Sequence, residues 1–336
     1  RAQRATASLP PEEGDLEGGY NLYNGASRSY VRSGCKAFGR RMHAAKHRKG
    51  SRAAYTRSET PKGSRSAQAV TTSVRDAKHP GSIGTFLKAK TFFMTYELCA
   101  YSIEACRIAA RTGVDRVELC SSPSEGGTTP SAAAVAMARE AGGYSLSVMI
   151  RPRGGDFLYT DREYEQMLRE IELARQAGAD SVVFGLLTAD GYVDVERTAR
   201  LVEAAAPMQT TFHRAIDVSR DYLRSVDDVA RCGCTRILTS GGRPTALEGL
   251  DDLRRALDIA RGRIEIMAGC GVNASNAARI ASAGVDALHF SARRSYPSPM
   301  RWRCADIDMG GGRDEYMLAE ADENSILSII ENVSRI

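Results

Sequence analysis

At 336 residues the chain can form one large α/β domain or two small ones, and it has no run of about 18 apolar residues, which excludes a hydrophobic membrane-spanning helix. Its formal net charge of +5 is unevenly placed: residues 25–90 hold 16 Lys and Arg against two acids (+14) and residues 1–24 hold −2, so residues 91–336 carry −7, which argues against nucleic-acid or anionic-membrane binding by that part. Eight cysteines without a secretory signal fit free thiols in a reducing, cytoplasmic setting better than a disulfide framework.

Residues 1–93 are basic, of low complexity and rich in Ser, Arg, Ala and Gly, with no sustained apolar periodicity. Such a segment buries too little surface to offset its ordering entropy, so it is expected to be an unstructured leader. Its acid-poor, Arg- and Ser-rich character resembles an organelle transit peptide, which would place the protein in a plastid or mitochondrion. The alternatives are an added tail or translated upstream sequence, since Met94 stands just before the first strand. Cys35, His43 and His47 lie here without a folded context.

From residue 94 to 336 short runs of Val, Ile, Leu and Phe alternate with helical patterns, which predicts repeated βα units and a parallel sheet. Strands are expected from Thr95 (TYELCA), Arg116 (RVELC), Ser147 (SVMIRPR), Ser181 (SVVFGLL), Gln209 (QTTFHRA), Arg236 (RILTS), Ile264 (IEIMAG) and Ala287 (ALHFSA). Thr160 and Glu163 form a capping-box pattern before EYEQMLREIELARQAG, and Gly178 is placed to close that helix. TGVD at Thr112–Asp115, AGAD at Ala177–Asp180 and AGVD at Ala283–Asp286 repeat the same helix-to-strand punctuation. Eight such units predict an α/β fold of the TIM type, a closed (β/α)8 barrel.

Working sites of such barrels lie at the C-terminal strand ends, and side chains of one parity along a strand share a face. One mouth would then gather Glu97 with Cys99, Glu118 with Cys120, Arg151 with Arg153, Thr211 with His213, and His289 with Ser291. A buried ion-pair layer of Glu97, Glu118 and Arg151 would explain a single pair. So many polar residues at successive strand ends favour a site, because a barrel can be filled with Val, Ile and Leu instead.

In RPRGGDF (Arg151–Phe157) the two guanidinium groups suit a carboxylate or phosphate, and Asp156 could orient either one. Glu125 stands beside Gly126 and Gly127 in the preceding loop. Gly269, Gly271 and Ser291, in the loops after strands seven and eight, are candidates for an anion site built from backbone N–H groups. Cys99 and Cys120 end neighbouring strands about 4.8 Å apart, so both sulfurs could reach one soft ion; otherwise they are small buried apolar groups. Cys270 is a candidate third thiol on the same rim. Cys232 and Cys234 precede strand six and belong to the opposite face, and Cys106 falls on the first helix.

At VELCSSPSEGGTTPS, MIRPRGGDFLYTDRE, VVFGLLTADGYVD, TFHRAID, RILTSGG, IEIMAGCGV and HFSAR the chain resembles the CutC copper-homeostasis family in order across Thr95–Arg293, and more loosely at SPMRWR (Ser298–Arg303). The resemblance implies a TIM-type barrel, a cytoplasmic or organellar location, a homodimer, and Cu(I) as the bound metal with Cys99 and Cys120 as ligands. Cys270 departs from the small residue usual there. The competing reading is an enzyme acting on a small anionic, even phosphorylated, substrate by acid–base chemistry. His213 or Glu118 would then be the base, with Arg151 and Arg153 holding the substrate and Asp156 supporting them. In both readings the partner is a copper ion or a small anionic ligand.

Overall fold

The computed structural model describes residues 94–304, 306–307 and 314–335; the reading of residues 1–93 as a leader, with Cys35, His43 and His47, lies outside them. Eight parallel strands close into a barrel in chain order. They are β1 (Thr95–Ala100), β2 (Arg116–Leu119), β3 (Ser145–Met149), β4 (Ser181–Phe184), β5 (Gln209–Phe212), β6 (Arg236–Thr239), β7 (Glu265–Ala268) and β8 (Ala287–Phe290). The helices between them are α1 (Ile103–Thr112), α2 (Ala132–Ala141), α3 (Asp161–Gln176), α4 (Val195–Ala205), α5 (Tyr222–Arg231), α6 (Leu250–Ala260) and α7 (Ala277–Ala281).

β3 starts two residues before Ser147, because Ser145 already pairs with Arg116 of β2, and β7 starts at Glu265 rather than Ile264. The eighth unit is longer than the repeat predicts. An antiparallel hairpin, β9 (Arg293–Pro297) with β10 (Met317–Ala321), is inserted before the closing helix α8 (Glu323–Val333).

The recurrent punctuation has a physical basis. Thr160 and Glu163 form the reciprocal cap, with Glu163 Oε2 accepting from Thr160 N at 2.8 Å, and Gly178 turns with φ +89. Each Asp of the TGVD, AGAD and AGVD turns accepts from a strand N–H: Asp115 from Tyr96 at 2.8 Å, Asp180 from Leu146 at 2.8 Å, and Asp286 from Ile266 at 2.9 Å. One short carboxylate therefore ties each helix-to-strand turn to the start of a neighbouring strand.

Two layers of packing result. The main core, including Leu98, Val117, Leu146, Phe184, Phe212, Ile237, Ile266 and Leu288, lies between sheet and helices. Residues of the opposite parity fill the barrel. At its N-terminal end Arg116 pairs with Glu265 (2.6 Å) and Glu97 (3.2 Å), while Arg236 pairs with Glu265 (3.4 Å) and donates to Gln209 Oε1 (2.6 Å) and Thr211 Oγ1 (3.1 Å). Burying these charges is tolerated because each arginine meets several acceptors. Two small apolar groups lie apart from the main core: Leu238, Met267 and Ala287, and Met149 and Val183 with Cys99 and Cys120.

Candidate functional site

β1, β2 and β8 are adjacent, and their register brings five polar side chains into one buried cluster. Glu97 is opposite His289 across β1 and β8, and Cys99 is opposite Glu118 across β1 and β2. His289 Nδ1 lies 2.8 Å from Glu97 Oε1, and its Nε2 lies 3.7 Å from Glu118 Oε2. The Cys120 thiol reaches Glu118 Oε2 at 3.4 Å. One ligand atom from each of Cys99, Glu118 and Cys120 falls within 4.8 Å of the others, and the same is true of Glu97, Glu118 and His289.

Their protonation follows from the packing. A hydrogen bond from the Cys120 thiol, then bonds from His289 and Tyr101, outweigh burial and hold the Cys99 thiol well below the ordinary cysteine range. Burial and the Cys99 sulfur push Cys120 well up. Burial raises Glu118 well above the usual carboxylate range, and the charge of Cys99 adds to this. Burial opposes a charged His289, but Glu118, Cys99 and Glu97 around it prevail and raise it well above the usual histidine range. The packing thus draws the Cys99 thiol and the His289 ring toward their charged forms and Cys120 and Glu118 toward their neutral ones. A sulfur anion with a second thiol in reach is a donor set for a soft cation.

A cavity of about 450 Å3 opens above this cluster, lined among others by Cys99, Tyr101, Glu118, Arg151, His213 and His289. Arg151 and Arg153 do not meet there. Arg151 is buried and donates through Nη1 to the carbonyls of Glu125 and Gly127 and through Nη2 to that of Gly155 at 2.9 Å, so it ties the loop after β2 to the loop after β3. Arg153 turns away to Glu163 (2.6 Å) and to an exposed Asp156 (3.0 Å), and neither of those two lines the cavity. Strand alternation ends at Met149, so same-face reasoning no longer applies to this pair.

His213 is buried at the entry to a short 3-10 turn, Arg214–Val218. Its Nδ1 accepts from Ala215 N at 3.2 Å. Burial, then the charge of Arg151, push its pKa down to about 3. The ring is therefore neutral near pH 7 with its proton on Nε2, where it is a hydrogen-bond donor.

Gly271 and Ser291 line the cavity, whereas Gly269 is closely packed: a Cβ there would come 2.5 Å from Leu238 Cδ1 and 3.3 Å from His289. Cys270 also lines the cavity, with φ +80, but its Sγ lies 3.1 Å from the Pro244 carbonyl and is not grouped with the other two thiols. Cys232 and Cys234 both precede β6, at the other end, as expected. Near the mouth, Tyr101 and Asp217 are not marked by strand-end spacing. Tyr101 sits on the cavity wall beside Cys99, and Asp217 accepts from Ser240 N and Gly242 N, both at 3.0 Å, while pairing with Arg214 at 2.8 Å. The glycine turn after β6 thus holds the chain's own carboxylate. An Asp in HRAID followed by TSGG was the available signal.

Residues 94–294 match the CutC family model, which stops short of SPMRWR. A CutC family protein of Bacteroides thetaiotaomicron is 45% identical over 242 residues, covering 71% of this chain and 97% of that protein. The human copper homeostasis protein cutC homolog is 42% identical over 236 residues, covering 69% of this chain and 86% of its own. The solved structure of a CutC protein from Streptococcus agalactiae superposes with a TM-score of 0.57 at 34% identity, over 59% of this chain and 99% of that one.

Proposed function

The chain belongs to the CutC copper-homeostasis family, and from that premise we propose that it binds Cu(I) through Cys99 and Cys120 at the C-terminal mouth of the barrel. The observation that carries the reading is the convergence of both buried sulfurs and a Glu118 oxygen within 4.8 Å of one another. Two thiolates on adjacent strands favour a soft monovalent ion over hard cations. The Cys99 thiol, held low by its neighbours, gives up its proton to a metal more readily than the Cys120 thiol, which burial holds up.

His289 and Glu97 form a hydrogen-bonded pair next to the sulfurs, and Tyr101 packs against the two cysteines at the cavity wall. The chain's part is to bind the ion and exclude water from it. A reducing, cytoplasmic setting that keeps thiols free, and a homodimeric assembly, complete the proposal. X-ray absorption at the copper edge on the Cu(I)-loaded chain tests the ligand set: a first shell of two sulfurs is expected, and a shell of nitrogen and oxygen alone would overturn it.

A further inference from the structure

Two features of the cavity have no use in the thiol cluster. Arg151 is 5% exposed, and among the described residues no carboxylate lies within ion-pair distance of it; its hydrogen bonds go to three main-chain carbonyls, the neutral Tyr159 hydroxyl lies beside it, and its Nε has no hydrogen-bond acceptor among the described residues. A buried guanidinium with only dipoles around it is an uncompensated charge, which is costly unless something else supplies the anion. His213, 4% exposed, has its Nδ1 satisfied by Ala215 N, and its Nε2 has no partner among the described residues. Gly185 leaves the room the ring occupies, since a Cβ there would overlap His213 Nδ1.

Both residues line the same cavity and flank the same ring: the Arg151 guanidinium carbon and the His213 ring centre each lie 5.1 Å from the centre of Phe157. We propose that this wall binds a small organic monocarboxylate, with Arg151 balancing its charge and the His213 Nε2–H donating to one of its oxygens. One charge decides between anions. A phosphate group brings nearly two negative charges at pH 7, whereas among the described residues Arg151 is the single cation of the cavity without an acidic partner; Arg214, also on the wall, is already paired with Asp217. Arg151 Nη1 is committed to two carbonyls and Nη2 to one, so Nε–H, one hydrogen on Nη2 and His213 Nε2–H remain, a set that two carboxylate oxygens can absorb. Glu125, the exposed acid at the rim, packs its carboxylate onto Gly154. The volume of about 450 Å3 admits a molecule of a few carbon atoms above the cluster.

The inference does not rest on copper, and the test keeps the two apart. Pyruvate, acetate and inorganic phosphate are titrated into the full chain while the 15N resonances of His213 are followed. The expected result is a neutral Nε2–H tautomer whose Nε2 resonance moves with pyruvate or acetate and not with phosphate. His213→Leu should weaken carboxylate binding about tenfold or more, and His213→Gln, which keeps an N–H donor, should recover part of it. A Cys99→Ser, Cys120→Ser variant should bind carboxylate as the native chain does, whatever becomes of its copper affinity. A His213 resonance indifferent to 20 mM of either carboxylate (roughly a hundred times a sub-millimolar Kd), equal binding by a folded His213→Leu, or preference for phosphate would each overturn the proposal.

Discussion

His289 Nδ1 stands 2.8 Å from Glu97 Oε1, and the same Glu97 meets Arg116 Nε at 3.2 Å. The ion layer that fills the base of the barrel and the thiol cluster at its mouth are therefore one connected network, running from Glu265 through Arg116 and Glu97 to His289. A change at the base should be felt at the sulfurs.

Glu97→Gln tests that connection. It removes the anion shared by Arg116 and His289, both buried. Breaking a buried pair costs about 3–5 kcal/mol, and the loss should fall toward the low end because Arg116 keeps Glu265. Urea denaturation at pH 7 measures it; a loss under about 0.5 kcal/mol, the range of an ordinary surface change, would contradict the network.

The pH dependence of stability should carry the mark of His213. Its folded pKa of about 3 lies below the ordinary histidine value, so between the two the unfolded chain binds a proton that the folded chain does not. This contribution is fully present above about pH 6.5 and is lost as pH falls toward 3, by roughly 1.4 kcal/mol per unit. Folded His213→Gln lacks the titration, so the difference in unfolding free energy between it and the native chain should shrink in the native chain's disfavour on acidification. A difference constant from pH 7 to 4 would contradict a buried neutral ring.

Much of this geometry was legible in the sequence, for a physical reason. Alternation along a strand fixes which residues share a face, so Glu97 with Cys99 and Glu118 with Cys120 could be paired from their spacing once the strands were placed. The rule fails where strands end. Arg153 lies four residues beyond β3, and its direction is set by Glu163, the capping residue of α3, rather than by pleating. Arg116, Arg236 and Glu265 begin their strands, at the end of the barrel opposite the mouth, where strand-end spacing carries no signal for them. Asp217 lies in a 3-10 turn, and only the fold brings it to Ser240 and Gly242.

Gly269 offers a steric test of the site. A methyl group there would press on Leu238 and on His289, which after Cys120 helps hold the Cys99 thiol low by hydrogen bond and charge. Gly269→Ala should cost about 1–3 kcal/mol, as overpacking does. It should also weaken Cu(I) binding, whereas Gly262→Ala, at a position with open space around it, should leave copper affinity unchanged. Equal copper affinities in the two variants would separate His289 from the metal site.

The most direct measurement is a Cu(I) titration against a competing chelator, run on the native chain beside the Cys99→Ser, Cys120→Ser variant. One ion bound per chain, tightly enough to compete with the chelator and lost in the variant, is the predicted result. Binding that survives removal of both thiols, or no competition by the native chain, would contradict the assignment of Cu(I) to this barrel mouth.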